Sequence, residues 1–515
     1  MLPFLDGPPA AYAALRALFA ASGFSAAEVE KRVGIDDIHL FRPIGEGRQQ
    51  STDLIDALDL LIVLFMDGVA VPISDVRRLL PEGGEAALLD LGLIAPHPLA
   101  PERYAAGLRI YPIDGVFIAS DLEKTTPGLR RPEELEPPDH VFSALTTLTG
   151  TFLDQLPSTP CGRFLELCAG SGVAALLAAR FSDHVWAADI TERSTAFARF
   201  NARLNGIENF TAVCGDLYEP VAGLQFDRIV AHPPYVPAPE NTMIYRDGGE
   251  DGEWVVRNIL AGLPGYLAPG GRFYLTCAAS DRRDAPLEDR VRAMIGATEN
   301  EFDLLVVSHY ALPPAEYYGR LAASGRIDFD VAEARIALFR KLEAEQIVYC
   351  SLVLQRRATE RAPFTIRRER REGSAATEAE WLMNWCTRIA EEDVLSMLLD
   401  ARPRLLATPR LEVAHRVEDG EWKVDTSRIA TEYPFVRTVD ISLNGAMLLT
   451  LCDGIHTGRE VFARVRSSGA MPNEVPELSF AEFLRELVTE GVIGFGEEPS
   501  PAAPASIPPK PMPTP

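Results

Sequence analysis

The 515-residue sequence is short of positive charge: 50 Lys+Arg face 74 Asp+Glu, a formal net charge of −24. Such a surface repels phosphate backbones, which argues against sequence-specific DNA binding and against nucleic-acid binding by the surface as a whole. Cysteine is sparse as well. The seven cysteines (161, 168, 214, 277, 350, 386 and 452) are scattered and form no CxxC pair or Cys/His cluster. Neither a disulfide framework nor a zinc site is indicated, and no metal is expected. Reduced thiols fit a cytoplasmic protein. The N-terminus lacks the basic opening of a signal peptide. The longest apolar run, residues 60–66, is far short of the roughly 20 residues a transmembrane helix needs, so no membrane contact is expected. What remains is an ordinary globular composition, 47% apolar and 24% charged, at a length on the order of three domains.

Residues 1–115 read as mostly helical. Ser51, Thr52 and Asp53 offer an N-cap ahead of the stripe Leu54, Leu58, Leu61, Leu64 and Phe65. Ser74 and the Gly83-Gly84 break introduce two more short helices, closed by the apolar run LGLI, an order that resembles a winged helix. RIYPIDGVFIASDL (109–122) alternates as a hairpin does. Over 116–358, seven short β-branched or aromatic runs are interleaved with helical stretches, as in βαβ units of a mostly parallel sheet. The last two runs look like the antiparallel pair that often finishes such sheets. Residues 359–403 read as a charged, partly helical connector, 404–497 as a second winged-helix-like module, and 498–515 as a disordered Pro-rich tail. The expected fold class is α/β: a Rossmann-like, seven-stranded core flanked by N- and C-terminal helical, winged-helix-like domains.

Chemistry concentrates in two places. FLELCAGSGVAALLAA is a strand, a glycine turn and a helix, in which Gly170 and Gly172 permit a tight turn and close approach of a ligand. Asp189 ends the next strand, where an acid can accept two hydrogen bonds from a ribose diol. This much fits NAD or S-adenosylmethionine. Glu166 favours the latter, because a carboxylate there suits the cationic amino group of a methionine moiety. Asp216, after the third strand, is placed to meet an adenine amino group. The second place is FDRIVAHPPYVP, with His232, Pro233, Pro234 and Tyr235 at the end of the fourth strand.

Here the sequence closely resembles class I S-adenosylmethionine-dependent methyltransferases of the small-domain type, which carry Asn/Asp-Pro-Pro-Tyr/Phe at this position. That family methylates nitrogen in planar groups: glutamine side-chain amides and nucleobase amines. The motif suits the chemistry, because an amide lone pair is delocalised and its N–H groups must be held in place for in-line attack. In the family the Asn/Asp side chain and a proline carbonyl accept those hydrogen bonds, while the aromatic ring stacks on the target. The resemblance covers about 115–358, including the run from Asp189 to Asp216 and Asp247-Gly248-Gly249 after the catalytic loop. It implies a class I methyltransferase core with S-adenosylmethionine as cofactor. Glu166, Cys168, Gly170, Gly172, Asp189, Asp216 and His232 are the implied cofactor-binding residues, and His232, Pro233, Pro234 and Tyr235 the catalytic ones. Asp139, His140 and Thr146 are weaker binding candidates.

The sequence departs from the family at Cys168 and Ala169, which replace a glycine and a small residue, and at His232, which stands where Asn or Asp is usual. A neutral imidazole offers one acceptor nitrogen and can also serve as a general base. The expected activity is N-methylation of a planar amide or amine, in a protein glutamine or a nucleobase. The alternatives are methylation of a small molecule at N, O or S, or a non-catalytic interaction protein that keeps the fold. The acceptor (protein, RNA or small molecule) and an oligomeric state are left open. Arginines 356, 357, 361, 367, 368, 370 and 371 form the one basic cluster, which reads either as an anionic-partner site or as a solvated linker pairing with Glu360, Glu369 and Glu372. Trp381 and Trp385, four apart, read as a helix stripe packed between domains.

Overall fold

The runs rich in β-branched and aromatic residues form strands, and these assemble into one sheet. The computed structural model describes residues 2–44, 54–122, 137–238, 243–390, 393–469, 471–472 and 474–496. The expected cap at Ser51, Thr52 and Asp53 and the tail 498–515 lie outside the described residues. The sheet strands are β1 (Cys161–Leu167), β2 (Ser182–Asp189), β3 (Phe210–Cys214), β4 (Phe226–Ala231), β5 (Leu267–Arg282), β6 (Phe302–Leu312), β7 (Ala344–Arg356) and β8 (Thr365–Glu369). Their spatial order is β8-β6-β7-β5-β4-β1-β2-β3. Only β7 runs antiparallel, against both β5 and β6. Strand order reverses between β1 and β4, and the loops leaving their carboxyl ends diverge to open a crevice.

Successive residues of each strand face opposite sides, and both sides are apolar, as a sheet covered on both faces requires. Leu165, Ile229, Leu275 and Val306 pack with the helices Trp254–Tyr266 and Leu287–Ile295. Phe164, Val230, Tyr274 and Leu305 face Trp381 and Trp385 of the helix Ala376–Arg388, together with apolar residues of the C-terminal helices. The tryptophan stripe is thus buried between the sheet and the C-terminal module.

Seven strands were expected, and there are eight. The eighth lies within the segment read as a connector, and β6 pairs with it in parallel from Leu304↔Thr365 to Ser308↔Glu369. Arginines stand at its third and fourth positions, so no β-branched or aromatic run announces it. The cluster is occupied internally, by other and mostly distant acids rather than by Glu360, Glu369 or Glu372. Arg356 pairs with Glu301, Arg361 with Asp303, Arg367 with Asp281 and Glu288, Arg368 with Glu490, Arg370 with Asp154, and Arg371 with Glu378. These contacts fasten β8 and the C-terminal module to the core.

Residues 109–122 do form a hairpin, Leu108–Ile113 with Val116–Asp121, turning at Asp114-Gly115, where both residues are left-handed as a two-residue hairpin loop demands. It docks on the helix Glu192–Asn205. The buried Asn201 amide accepts from Ala119 N–H (2.8 Å) and donates to the carbonyls of Ala119 and Ser171 (both 3.0 Å). One turn later Asn205 accepts from Phe117 N–H and donates to its carbonyl (both 2.7 Å). Two amides four residues apart thereby serve as a strand edge for alternate residues of the hairpin. Asn201→Ala would strand the two Ala119 groups and the Ser171 carbonyl. It should cost about 2–4 kcal/mol in a chemical denaturation series, and an effect below about 1 kcal/mol would show that the hairpin docks by apolar packing alone.

Candidate active site

The glycine turn after β1 is an unusual stretch of backbone. Cys168 (φ 52°), Gly170 (φ 52°) and Gly172 (φ 78°) all take left-handed conformations. A β-carbon on Gly170 would meet nothing within 4 Å, so it leaves open space at the cavity wall. One on Gly172 would sit 3.1 Å from the β-carbon of Ala198, so Gly172 allows close helix packing. Cys168 occupies a conformation a glycine would adopt at lower cost, which is the physical meaning of its departure from the family pattern.

A cavity of about 570 Å³ opens at the carboxyl ends of β1, β2 and β4. Glu166, Cys168, Gly170, Asp189, Asp216, His232, Pro233, Pro234 and Tyr235 all line it, and so do Asp139, His140 and Thr146. Gly172 is the one site candidate that does not. Asp189 spans the turn: one carboxylate oxygen accepts from Gly170 N–H (2.8 Å) and the other from Thr191 N–H (3.0 Å). Glu166 is almost wholly buried and accepts from the N–H groups of Ala174 (3.3 Å) and Ala175 (2.8 Å). It therefore caps the helix Val173–Ala178, so two of the N–H groups at that helix N-terminus are taken by this carboxylate. Burial pushes its pKa up to about 8.

His232 leaves β4 with its ring stacked on Phe152, 5.1 Å between centroids and 26° between planes, and 6.0 Å from the ring of Tyr235. Burial lowers its pKa to about 4, so it is neutral across the physiological range. The loop behind it is held by backbone contacts: Val236 N–H donates to Arg246 O (3.0 Å) and Gly248 N–H to Val236 O (2.8 Å). A β-carbon on Gly248 would sit 2.4 Å from Gly252 O and 2.8 Å from Pro234 O. Buried Asp247 pins the same loop through Met243 N–H and Arg246 Nε, both at 2.9 Å.

Beside this loop a polar row crosses the sheet. Arg370 can only donate, so Nδ1 of His309 accepts from it (3.2 Å) and Nε2–H donates to Ser351 Oγ (2.8 Å). Ser351 in turn meets Thr276 Oγ1 at 3.0 Å. The parallel pairing of Leu275 with Ala231 puts residue 276 alongside His232.

Sequence reasoning missed several lining residues: Phe152, Ile190, Leu217, Tyr245 and Trp254. Ile190 and Leu217 directly follow the two acids, a signal that could have been read. Phe152 and Trp254 come from helices whose approach only the fold sets.

Comparison with known proteins identifies the family. A family model described as the methyltransferase small domain matches residues 137–305. The release factor glutamine methyltransferase of Moorella thermoacetica is 31% identical over 215 residues, which are 39% of this chain and 71% of that protein. The chain belongs to the small-domain methyltransferases. The ribosomal protein uL3 glutamine methyltransferase of Bradyrhizobium diazoefficiens is 37% identical over 135 residues, 24% of this chain and 42% of that relative's length. Among solved structures, a methyltransferase from Pyrococcus furiosus covers 46% of the chain and 89% of its own, at 18% identity and a TM-score of 0.27.

S-adenosylmethionine is the methyl donor of this methyltransferase, and the cavity fits it. Gly170 leaves room at the turn, Asp189 and Asp216 retain acceptor capacity, and Ile190 and Leu217 offer apolar surface for a purine. Glu166 places a buried carboxyl in the cavity wall, a group that can become the counter-charge of a cationic amino group when it ionises. Among the described residues no single helix is long and apolar enough to cross a membrane, and no cluster of metal-ligating side chains occurs.

Two outcomes follow from this geometry. The Glu166 pKa is raised above the ordinary 4.5 to about 8, so its contribution to folding is full below 4.5 and lost as pH rises through 8. Binding a cation needs the ionised form. S-adenosylhomocysteine affinity should therefore rise between pH 6 and 8 by up to about tenfold per unit, and calorimetry on Glu166→Gln should show the rise flattened. Gly248→Ala should reduce turnover by roughly 10²-fold through the displaced Pro234 carbonyl while cofactor affinity stays within a few-fold. An equal loss in both would place the glycine in the fold rather than at the acceptor.

Proposed function

We propose that this methyltransferase acts in the cytoplasm and N-methylates the side-chain amide of a glutamine in a protein substrate, the kind of acceptor that the names of its relatives give for those proteins. The observation that carries the reading is the neutral, cavity-lining imidazole of His232 in a loop whose Pro234 carbonyl is closely packed against Gly248. An amide offers N–H groups, and this site offers acceptors without a net charge. The net charge of −24 counts against a nucleobase within a polyanion. We assign substrate recognition to the N-terminal module, which Asn201 and Asn205 tether to the cofactor turn.

Glu166, Asp189 and Asp216 would hold the cofactor's amino group, ribose and adenine. When bound, S-adenosylmethionine supplies an electrophilic methyl group. The chain's own residues do the rest. His232 and a carbonyl of Pro233 or Pro234 accept the amide N–H bonds and orient the nitrogen, and Tyr235 bounds the planar group. Pairing a weakly nucleophilic amide with fixed acceptors avoids reorganisation during the reaction. An alkylated amide nitrogen that still carries its proton is a far stronger acid than an imidazolium. His232 can thus take that proton afterwards even with a pKa near 4.

Incubation with methyl-labelled cofactor and fractionated lysate should place label in protein, recovered as N5-methylglutamine; label confined to RNA or to small molecules overturns the reading. At saturating substrates, kcat should be flat between pH 6 and 8.5, because the imidazole is already neutral there. His232→Asn should stay within about tenfold of the parent, and His232→Phe should lose roughly 10²–10³-fold. An inflection near pH 6.5 that disappears in His232→Asn would instead make the imidazole an obligatory base.

A further inference from the structure

The C-terminal module carries a β-ribbon that no other element among the described residues covers. Its strands β9 (Arg410–Glu418) and β10 (Glu421–Thr431) pair through a turn at Asp419-Gly420. Every residue of β9 is exposed, and β9 is the outer strand of its three-stranded sheet, so one row of its backbone N–H and C=O groups faces outward. One face of the ribbon is apolar: Leu411, Val413, Val417, Trp422 and Val424 are all exposed, Trp422 at 73%. The register shift in the ribbon falls opposite Ala414/His415 and is taken up by an extra residue in β10, so β9 itself stays regular. Folded chains ordinarily blunt such an edge with bulges, Pro or Lys.

We infer that β9 is a homodimerisation strand, paired antiparallel with β9 of a second copy across a two-fold axis at Ala414. The sequence of β9, RLEVAHRVE, is self-complementary about that residue. Antiparallel pairing sets Arg410 opposite Glu418, Glu412 opposite Arg416, Leu411 opposite Val417 and Val413 opposite His415. Opposite residues share a face. The charged pairs therefore meet on one side, and Leu411–Val417 and Val413–His415 on the other, each twice, as an isologous interface requires. Charge selects the occupant as well. β9 holds two Arg and two Glu and is neutral with His415 uncharged, in a chain of net charge −24. Two copies that repel elsewhere can approach here. A basic partner would gain more on the acidic remainder of the surface.

Sedimentation of the full chain between about 1 and 100 µM should show a dimer of the 56.4 kDa chain. R416E sets Glu412 against a glutamate twice per interface and should weaken association by roughly tenfold. The double exchange E412R/R416E restores opposite charges and should recover the parent constant within about threefold. Circular dichroism should report unchanged folding in both, since positions 412 and 416 are exposed. A monomer at every concentration, an R416E chain that associates like the parent, or a double variant no better than the single would each overturn the assignment.

Discussion

The helix Glu192–Asn205 is the constraint on which the surroundings of the cofactor cavity depend. Ala198 sits against Gly172 closely enough that no side chain fits between them, and one turn on the Asn201 amide reaches both Ser171 in the glycine turn and Ala119 in the N-terminal hairpin. Thr191 caps the same helix and binds Asp189, which in turn holds Gly170 N–H. Three left-handed residues in five positions would otherwise be a loose segment. The helix fixes it from one side and the Glu166 cap from the other. The N-terminal module is therefore coupled to the cofactor turn by hydrogen bonds rather than merely joined to it by chain.

Within that frame, desolvation sets the electrostatics. Burial raises the Glu166 pKa and lowers that of His232, so each group is driven toward its neutral form. The two shifts suit different tasks. A carboxyl that ionises only near neutrality gains a counter-charge when a cation arrives, whereas a permanently neutral imidazole keeps its acceptor nitrogen whatever the pH. His in place of the family's Asn or Asp therefore keeps an acceptor, neutral as that of Asn is, while changing its shape, and Phe152 supplies an aromatic surface on which the larger ring stacks.

Much of this was legible in the sequence. Short β-branched and aromatic runs locate the first seven strands, and the strand–glycine–helix order and HPPY locate the crevice, because tight turns and rigid acceptor loops demand particular residues. The eighth strand was hidden because its third and fourth positions are arginines whose burial rests on acids more than sixty positions away in sequence, Asp281 and Glu490 among them. The role of Glu166 as a helix cap was hidden for a related reason: a carboxylate four residues before Gly170 looks the same whether it faces a ligand or a backbone N–H. Phe152 could not be assigned to the site because only tertiary packing brings the helix Thr147–Asp154 over β4.

The distribution of charge bears on what the enzyme can hold as substrate. The only arginine-rich segment is committed to internal ion pairs with Glu301, Asp303, Asp281, Glu288 and Glu378, so it adds little free positive potential to the surface. A phosphate backbone would meet an acidic exterior without a compensating stripe, and each phosphate brought close would add repulsion rather than release counterions. A protein substrate avoids that penalty, because a single glutamine side chain can enter a narrow apolar mouth formed by exposed Phe142, Ile244 and Trp254 while the rest of its surface stays outside. Such a mouth selects by shape and amide geometry, and both properties can be met by a loop of otherwise unremarkable charge.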